Sequence, residues 1–320
     1  SEERDNYKRF HETAKLHGLY LFGAGFIGAW SVGYLNALGI CVNGFIDSNP
    51  KKWGSLVSGV KVCSPTEVAV SDPKCILITS RHHVKAVKES LSSFASMKLS
   101  VDAFTVHNEG QEKISAIGDL FGSDSQSMGT FYAIVVSMLV GETRHLARYS
   151  DNRPFFDRFG FYNRDGEIFV DAGAYVGDSL ERFIWSVNGA FNHIYAFEPG
   201  KKQFEALKSR VQRLLIEWSI ASESICLINK GISSKSGTVS LSDQENLIQT
   251  RVDSDFKFTD KSKIENYVPV VSLDDYFGNL KFSFLKVDIE GSELALIEGA
   301  TQCIKSFRPR MALSVYHFPT

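Results

Sequence analysis

The segment Val170-Asp171-Ala172-Gly173-Ala174-Tyr175-Val176-Gly177-Asp178-Ser179 closes an apolar run that starts at Ile168 and opens an amphipathic one that starts at Ser179. An acid ends a strand here, and two glycines four positions apart lead into a helix. Glycine in such a turn allows a tight bend and lets a ligand approach bare backbone, while the helix N-terminus offers N–H groups to an anion. The next apolar run, 193–197, ends in Glu198-Pro199, 27 positions after Asp171. Strand, glycine turn, helix and a second strand with a terminal acid make up the building unit of a parallel α/β sheet.

Working outward, further strands are expected at 225–228, 284–287 and 311–315, short additional ones at 238–242 and 268–273, and helices from Lys201 and Glu293. Strand carboxyl ends share one edge of an open α/β sheet, so Asp171, Glu198, Asp288 and Glu290 are expected to meet at one cleft. The loop spacing is D-x-G-x-x-x-G and lacks the G-x-G-x-x-G of a pyrophosphate cradle, which suits S-adenosylmethionine. Glu198 can accept from both ribose hydroxyls, a service that a carboxylate there renders to NAD as well. Asn229-Lys230-Gly231 falls after the third strand, where an adenine ring would lie, and is otherwise a simple turn. Asp288 precedes Glu290-Gly291, and either Asp288 or Ser292 is suited to cap the helix that follows.

The same grammar recurs near the N-terminus. Gly23-Ala24-Gly25-Phe26-Ile27-Gly28 matches G-x-G-x-x-G between a strand at 19–22 and a helix at 27–38. The next strand, 42–46, ends at Asp47, 22 positions past Gly25, which is the context a dinucleotide fingerprint requires. With a later strand at 75–79 and a helix at 84–94, this unit is assigned to residues 1–108. Residues 109–160 read as a helical connector, and 161–320 as the second domain. The fold expected is therefore α/β, with two Rossmann-like domains joined by helices.

The 320 residues suit two domains. Thirty-five Lys+Arg against 37 Asp+Glu leave a net charge of −2, and 43% hydrophobic residues supply a core. No basic run offers the phosphate-neutralising footprint of a nucleic-acid binder. The longest apolar run, 131–140, is half of the about 20 residues that span a bilayer, and reads as a buried helix. Five scattered cysteines without a C-x-x-C pair point to reduced thiols in a cytoplasmic chain, and no set of residues is dense enough to hold a metal.

VDAGAYVGDS at 170–179, YAFEP at 195–199, VVSLDDYF at 270–277, FLKVDIEGSELALIEGA at 284–300 and ALSVYH at 312–317 together resemble the FkbM family of S-adenosylmethionine-dependent methyltransferases. The resemblance covers residues 161–317. It implies a class I methyltransferase fold that moves a methyl group to a hydroxyl of a sugar or related natural-product acceptor. By matching positions Asp171, Gly173, Gly177 and Glu198 would take the cofactor. Ala174, Asp178, Pro199, Asn229, Lys230, Gly231 and Asp288 would complete its surroundings, and Asp288 and Glu290 would border the reacting centre.

An alcohol is a poor nucleophile until a base takes its proton. His317, which titrates near neutral pH, is the first candidate base, followed by Asp288 and Glu290. The family's domain usually continues past Val315-Tyr316-His317 with a helix and two strands, so either a truncated domain or an unpaired last strand is expected here. Residues 45–54 resemble the small Rossmann-like domains joined to sugar-modifying enzymes, which implies a nucleotide or nucleotide-sugar ligand at Gly23, Gly25, Gly28 and Asp47. The alternative is an NAD-dependent oxidoreductase or epimerase acting on nucleotide sugars through this N-terminal loop, although no Tyr-x-x-x-Lys pair is evident. A small-molecule or carbohydrate acceptor is the expected partner, and a homo-oligomer stays open.

Overall fold

A computed structural model of the chain describes residues 2–150, 156, 166–240 and 267–315. The chain forms two units that part after residue 151. The first holds α1 (Glu2–His17), β1 (Leu19–Phe22), α2 (Phe26–Ala37), β2 (Val42–Ile46), β3 (Leu56–Val57), β4 (Val60–Cys63), α3 (Pro65–Val70), β5 (Cys75–Ile78), α4 (Val84–Ser90), β6 (Met97–Ser100), α5 (Val101–Glu109), α6 (Gln111–Asp119) and α7 (Ser125–Val140). Its sheet runs β3-β4-β2-β1-β5-β6, parallel throughout except for the β3–β4 pair. All four residues of β5 are buried, as befits a parallel strand covered on both faces.

Local chemistry explains the helix boundaries. Ser64 accepts from the Glu67 N–H at 3.1 Å and is followed by Pro65, and Ser100 accepts from the Ala103 N–H at 3.1 Å, so α3 and α5 each begin on a side-chain cap. Gly141, left-handed at φ 73°, ends α7. One element goes beyond what the sequence was read to hold, and one run departs from its expected burial. The polar N-terminus forms α1, which buries Phe10 and Ala14, one turn apart, in the core of the unit. The apolar run 131–140 is not a buried helix: α7 buries Ala133 and Ser137, while Tyr132, Ile134, Val136 and Val140 stay 38–42% exposed. It is apolar all round, and packing along α5 covers one stripe.

The second unit holds β7 (Ile168–Ala172), α8 (Asp178–Ser186), β8 (His193–Phe197), α9 (Lys201–Glu217), β9 (Ile225–Ile228), β10 (Gly231–Ile232), β11 (Gly237–Ser240), β12 (Tyr267–Val271), α10 (Leu273–Phe277), β13 (Phe284–Val287), α11 (Glu293–Gly299), α12 (Thr301–Phe307) and β14 (Arg310–Leu313). Its main sheet runs β14-β13-β7-β8-β9 and is parallel throughout, and β10-β12-β11 form a small second sheet. Successive residues of β7 feed opposite faces: Phe169 joins Phe183, Leu207 and Phe284 on one side, and Val170 joins Phe197, Leu285 and Leu296 on the other. Phe156 stands edge-on to Phe169, Phe183 and Phe284 at centroid distances of 5.8–6.0 Å, so this core draws on a residue well upstream of the sheet. Each such fully buried ring contributes about 1.5–3 kcal/mol of apolar burial. Among the described residues no helix is long and apolar enough to cross a membrane.

Candidate functional site

Chain order places β8 and β9 on one side of β7 and β13 and β14 on the other, so the sheet of the second unit reverses direction between β7 and β13. Ligands of open α/β sheets bind outside the strand carboxyl ends at such a reversal. The register brings those ends level, with Ala172 beside Phe197 and Val287. Asp171, Glu198 and Asp288 therefore gather along one edge.

Between β7 and β13 the seam is tight. Gly173 is left-handed at φ 81°, and a Cβ built on it would lie 2.0 Å from the Asp288 carbonyl oxygen. Only glycine fits there. The next turns of chain are tied to β8: Gly173 and Ala174 N–H both donate to Phe197 O, at 3.0 and 2.9 Å, and Tyr175 N–H donates to Glu198 Oε2 at 2.8 Å. These amides face the sheet, so the N–H groups available to an anion are those at the start of α8, from Asp178 on. Gly177, φ 84°, makes that turn against Leu207, whose Cδ1 would lie 2.7 Å from a Cβ.

Asp171 is fully buried and stands opposite Lys286 across the β7–β13 pair. Lys286 Nζ lies 3.1 Å from Asp171 Oδ1, within ion-pair reach, yet neither oxygen of Asp171 accepts a hydrogen bond of normal geometry. Lys286 instead donates to Gly173 O at 2.8 Å. Burial pushes the Asp171 carboxyl up to about 6, with Lys286 opposing and Asp178 and Asp288 adding to the rise.

Glu198 is 7% exposed, and each oxygen accepts one backbone N–H, from Tyr175 and from Gly200, both at 2.8 Å. A carboxylate has about four lone-pair sites, so two further acceptor positions remain. Burial raises its pKa, with the two amides and the Lys286 ammonium pulling the other way. Asn229 donates through Nδ2 to the carbonyls of Glu198 and Pro199, at 2.8 and 3.2 Å, and so ties the ends of β8 and β9 together. Lys230 is exposed, and Gly231 begins β10 with Pro199 and Val270 beside it.

Asp288 is partly buried, and its N–H donates to Ala172 O at 3.0 Å. Glu290 is exposed with a left-handed φ of 53°. The amides of the turn are held by Glu293, whose Oε1 accepts from Ile289 and Gly291 N–H at 3.2 Å. Ser292 occupies the cap position of α11 without a capping hydrogen bond from its side chain. His317 lies outside the described residues. Among the described residues no cluster of three His, Cys, Asp or Glu side chains stands ready for a metal ion.

The first unit repeats this arrangement. Gly23 turns at φ 109° with Thr79 Oγ1 2.9 Å from where a Cβ would sit; Gly28 packs so closely that a Cβ would meet Gly23 O at 2.2 Å. Gly25 has nothing within 4 Å. Turn, open approach and helix packing are the three glycine roles of the fingerprint. Asp47 corresponds to Glu198: its Oδ2 accepts from Ala24 N–H and its Oδ1 from Asn49 N–H, both at 2.9 Å. Unlike Glu198, it also holds an ammonium, Lys52 Nζ at 3.1 Å from Oδ2, and Lys52 bridges to Ala24 O at 3.0 Å. Burial acts to raise the Asp47 pKa, but the Asn49 and Ala24 amides and Lys52 outweigh it and hold the carboxyl below its ordinary value.

Residues 171–320 match the model of the methyltransferase FkbM domain. The second unit carries an FkbM methyltransferase domain. The chain is similar in fold to the crystal structure of methyltransferase FkbM from Methylobacillus flagellatus KT, with a TM-score of 0.52 and 20% identity over 97% of this chain and 83% of that one. Lower likenesses are to UDP-D-quinovosamine 4-dehydrogenase from Vibrio fischeri (TM-score 0.24, 20% identity, 30% of this chain and 87% of that one) and to an rRNA methylase from Streptococcus thermophilus (TM-score 0.30, 16% identity, 51% and 72%). No curated protein matches. Within the FkbM domain, reading the sequence alone missed Lys286 and Glu293. A lysine inside the otherwise apolar run Phe284-Leu285-Lys286-Val287 was the available signal for the first.

Proposed function

We propose that the FkbM domain binds S-adenosylmethionine at the β7–β13 reversal and methylates a hydroxyl of a carbohydrate or related acceptor. One observation carries the reading: Glu198, buried at the carboxyl end of β8 beside the reversal, keeps two acceptor positions, while Gly173 and Gly177 are packed against protein and shape the turn without exposing bare backbone. The residues fit that cofactor, since Asp171, buried and with Oδ1 within ion-pair reach of Lys286, keeps an Oδ2 without a hydrogen bond near the same edge. When bound, S-adenosylmethionine supplies a methyl carbon made electrophilic by its sulfonium.

The chain's own part is to bind and orient. Glu198 holds the ribose hydroxyls, while Pro199 and Asn229-Lys230-Gly231 border the adenine. Gly173, Ala174, Gly177 and Asp178 shape the wall between β7 and α8. One base takes the acceptor's proton, His317 as first candidate and otherwise Asp288 or Glu290, while Asp288 and Glu290 border the reacting centre; alignment of the acceptor oxygen contributes much of the acceleration. In the first unit, the open space over Gly25 suits a nucleotide or nucleotide sugar. The oxidoreductase alternative is weakened there because the first domain shows no Tyr-x-x-x-Lys pair for sugar oxidation. All five cysteines are free thiols, in keeping with a cytoplasmic setting.

Calorimetric titration of the full chain with S-adenosylmethionine and with NAD tests the reading, followed by methyl transfer to a panel of sugar nucleotides. Binding of the methyl donor and turnover of a hydroxyl-bearing acceptor are expected. Heat with NAD alone would transfer the assignment to the oxidoreductase alternative.

A further inference from the structure

We propose that Lys286 is a positioning residue of the methyl-donor site, holding the Gly173 carbonyl and the Asp171 carboxylate so that the loop leaving β7 keeps its binding shape. This rests on the reading that the second unit binds S-adenosylmethionine.

Lys286 is the one lysine among the buried charged residues described, 7% exposed within a strand whose four residues are all buried. Lysine is rarely placed so deep without a partner, because its ammonium loses its hydration. Register sets it opposite Asp171, and its side chain lies on the sheet face that also carries Phe169 and Phe284. From there Nζ reaches past the end of the strand to Gly173 O at 2.8 Å. The amide of Gly173 is held from the other side by Phe197 O at 3.0 Å. A left-handed residue at the mouth of the loop is thus pinned at both its N–H and its C=O, one pin from β8 and one from Lys286.

The charge matters as well as the bond. Asp171 would otherwise be a buried carboxylate facing Asp178 at the start of α8 and Asp288 after β13, and Glu198 after β8 also feels the Lys286 ammonium. Removing Lys286 therefore leaves Asp171 facing Asp178 and Asp288, and takes from Glu198 the ammonium that acts on it.

A purely architectural ion pair makes a different prediction, because replacing both partners of such a pair by apolar groups of similar size is often neutral or stabilising. The test is a set of three variants: Lys286→Met, Asp171→Leu and the two combined. Each is measured for thermal midpoint and for S-adenosylmethionine affinity by calorimetry at pH 6 and pH 8. Lys286→Met is expected to raise the Kd at least about tenfold at pH 8, and by less at pH 6, where Asp171 takes up a proton more readily. The double variant is expected to recover the thermal midpoint yet to bind the donor more weakly than Asp171→Leu alone, because the Gly173 carbonyl still lacks its donor. Recovery of both, or a Kd in the folded double variant no higher than that of Asp171→Leu, would reduce the pair to an element of the fold and overturn the proposal. Should the wild-type chain itself fail to bind S-adenosylmethionine, the underlying functional reading falls instead.

Discussion

Adding one methyl group at Gly173 probes the site more sharply than removing a charged side chain. In Gly173→Ala the new Cβ would sit 2.0 Å from Asp288 O, 2.9 Å from Asp288 C and 3.1 Å from Ile289 Cγ2. The obstacle is backbone, so the end of β13 must move away from β7 by about 1 Å to restore ordinary contact, straining the 3.0 Å hydrogen bond from Asp288 N–H to Ala172 O. Holding alanine at φ 81° costs about 1–2 kcal/mol, and the forced shift about 1–3 kcal/mol more. A total of about 2–5 kcal/mol should lower the melting temperature of the second unit by about 4–20 °C. The control is Gly33→Ala, in the exposed face of α2, where nothing lies within 4 Å. That change should raise stability by about 0.5–1 kcal/mol, because alanine is the better helix former. Differential scanning calorimetry of both variants, with donor titration of Gly173→Ala, reads the outcome. If Gly173→Ala melts within 2 °C of wild type and binds the donor unchanged, the close seam between β7 and β13 is not what shapes the site.

Three further outcomes are expected. Glu198→Ala should weaken S-adenosylmethionine binding by about 1.5–3 kcal/mol, through lost hydrogen bonds to a charged group, and an unaltered Kd would remove Glu198 from the site. The buried carboxyl of Asp171 titrates near 6, above its ordinary value near 4. Its ionised form is thus disfavoured by folding, and the stability it contributes is complete below pH 4 and lost as pH rises through 6. Melting temperatures of Asp171→Asn between pH 4.5 and 7.5 should lack that decline, and a parallel curve would refute it. Asp47 has the opposite sense: its lowered pKa gives stability that is present above pH 4 and lost as pH falls through the folded value. Asp47→Asn should therefore destabilise the first unit at pH 7, with the gap to wild type closing under acid conditions; a gap that widens on acidification contradicts the assignment.

Much of the fold was legible because both parallel sheets announce themselves in the same way. Apolar runs such as Cys75–Ile78 and Phe284–Val287 are buried on both faces, and glycine turns mark where β1 and β7 give way to helices. The short pair Leu56–Val57 and Val60–Cys63 and the edge strand Met97–Ser100 carried too little pattern to be read. α1 was hidden by its polar composition, since two residues, Phe10 and Ala14, decide its burial. At the site Glu198 and Asp288 were visible as the acids that follow their strands, whereas Asp171, read as ending its strand, lies inside β7 and pairs in register with Lys286. What these acids bond to was not visible, because hydrogen bonds such as Tyr175 N–H to Glu198 depend on register between strands far apart in sequence. The same limit hid Lys286, whose meaning comes from standing opposite Asp171, and the holding of Asp47 by Lys52.

Hydrogen exchange followed by mass spectrometry on the full chain, with and without saturating S-adenosylmethionine, would show where the donor rests. Added protection is predicted in peptides covering 171–180, 198–203, 229–232 and 286–292, with none at 23–28 or 47–54. Protection confined to the N-terminal glycine loop, or no change at the edge formed by β7, β8 and β13, would contradict a donor site in the second unit.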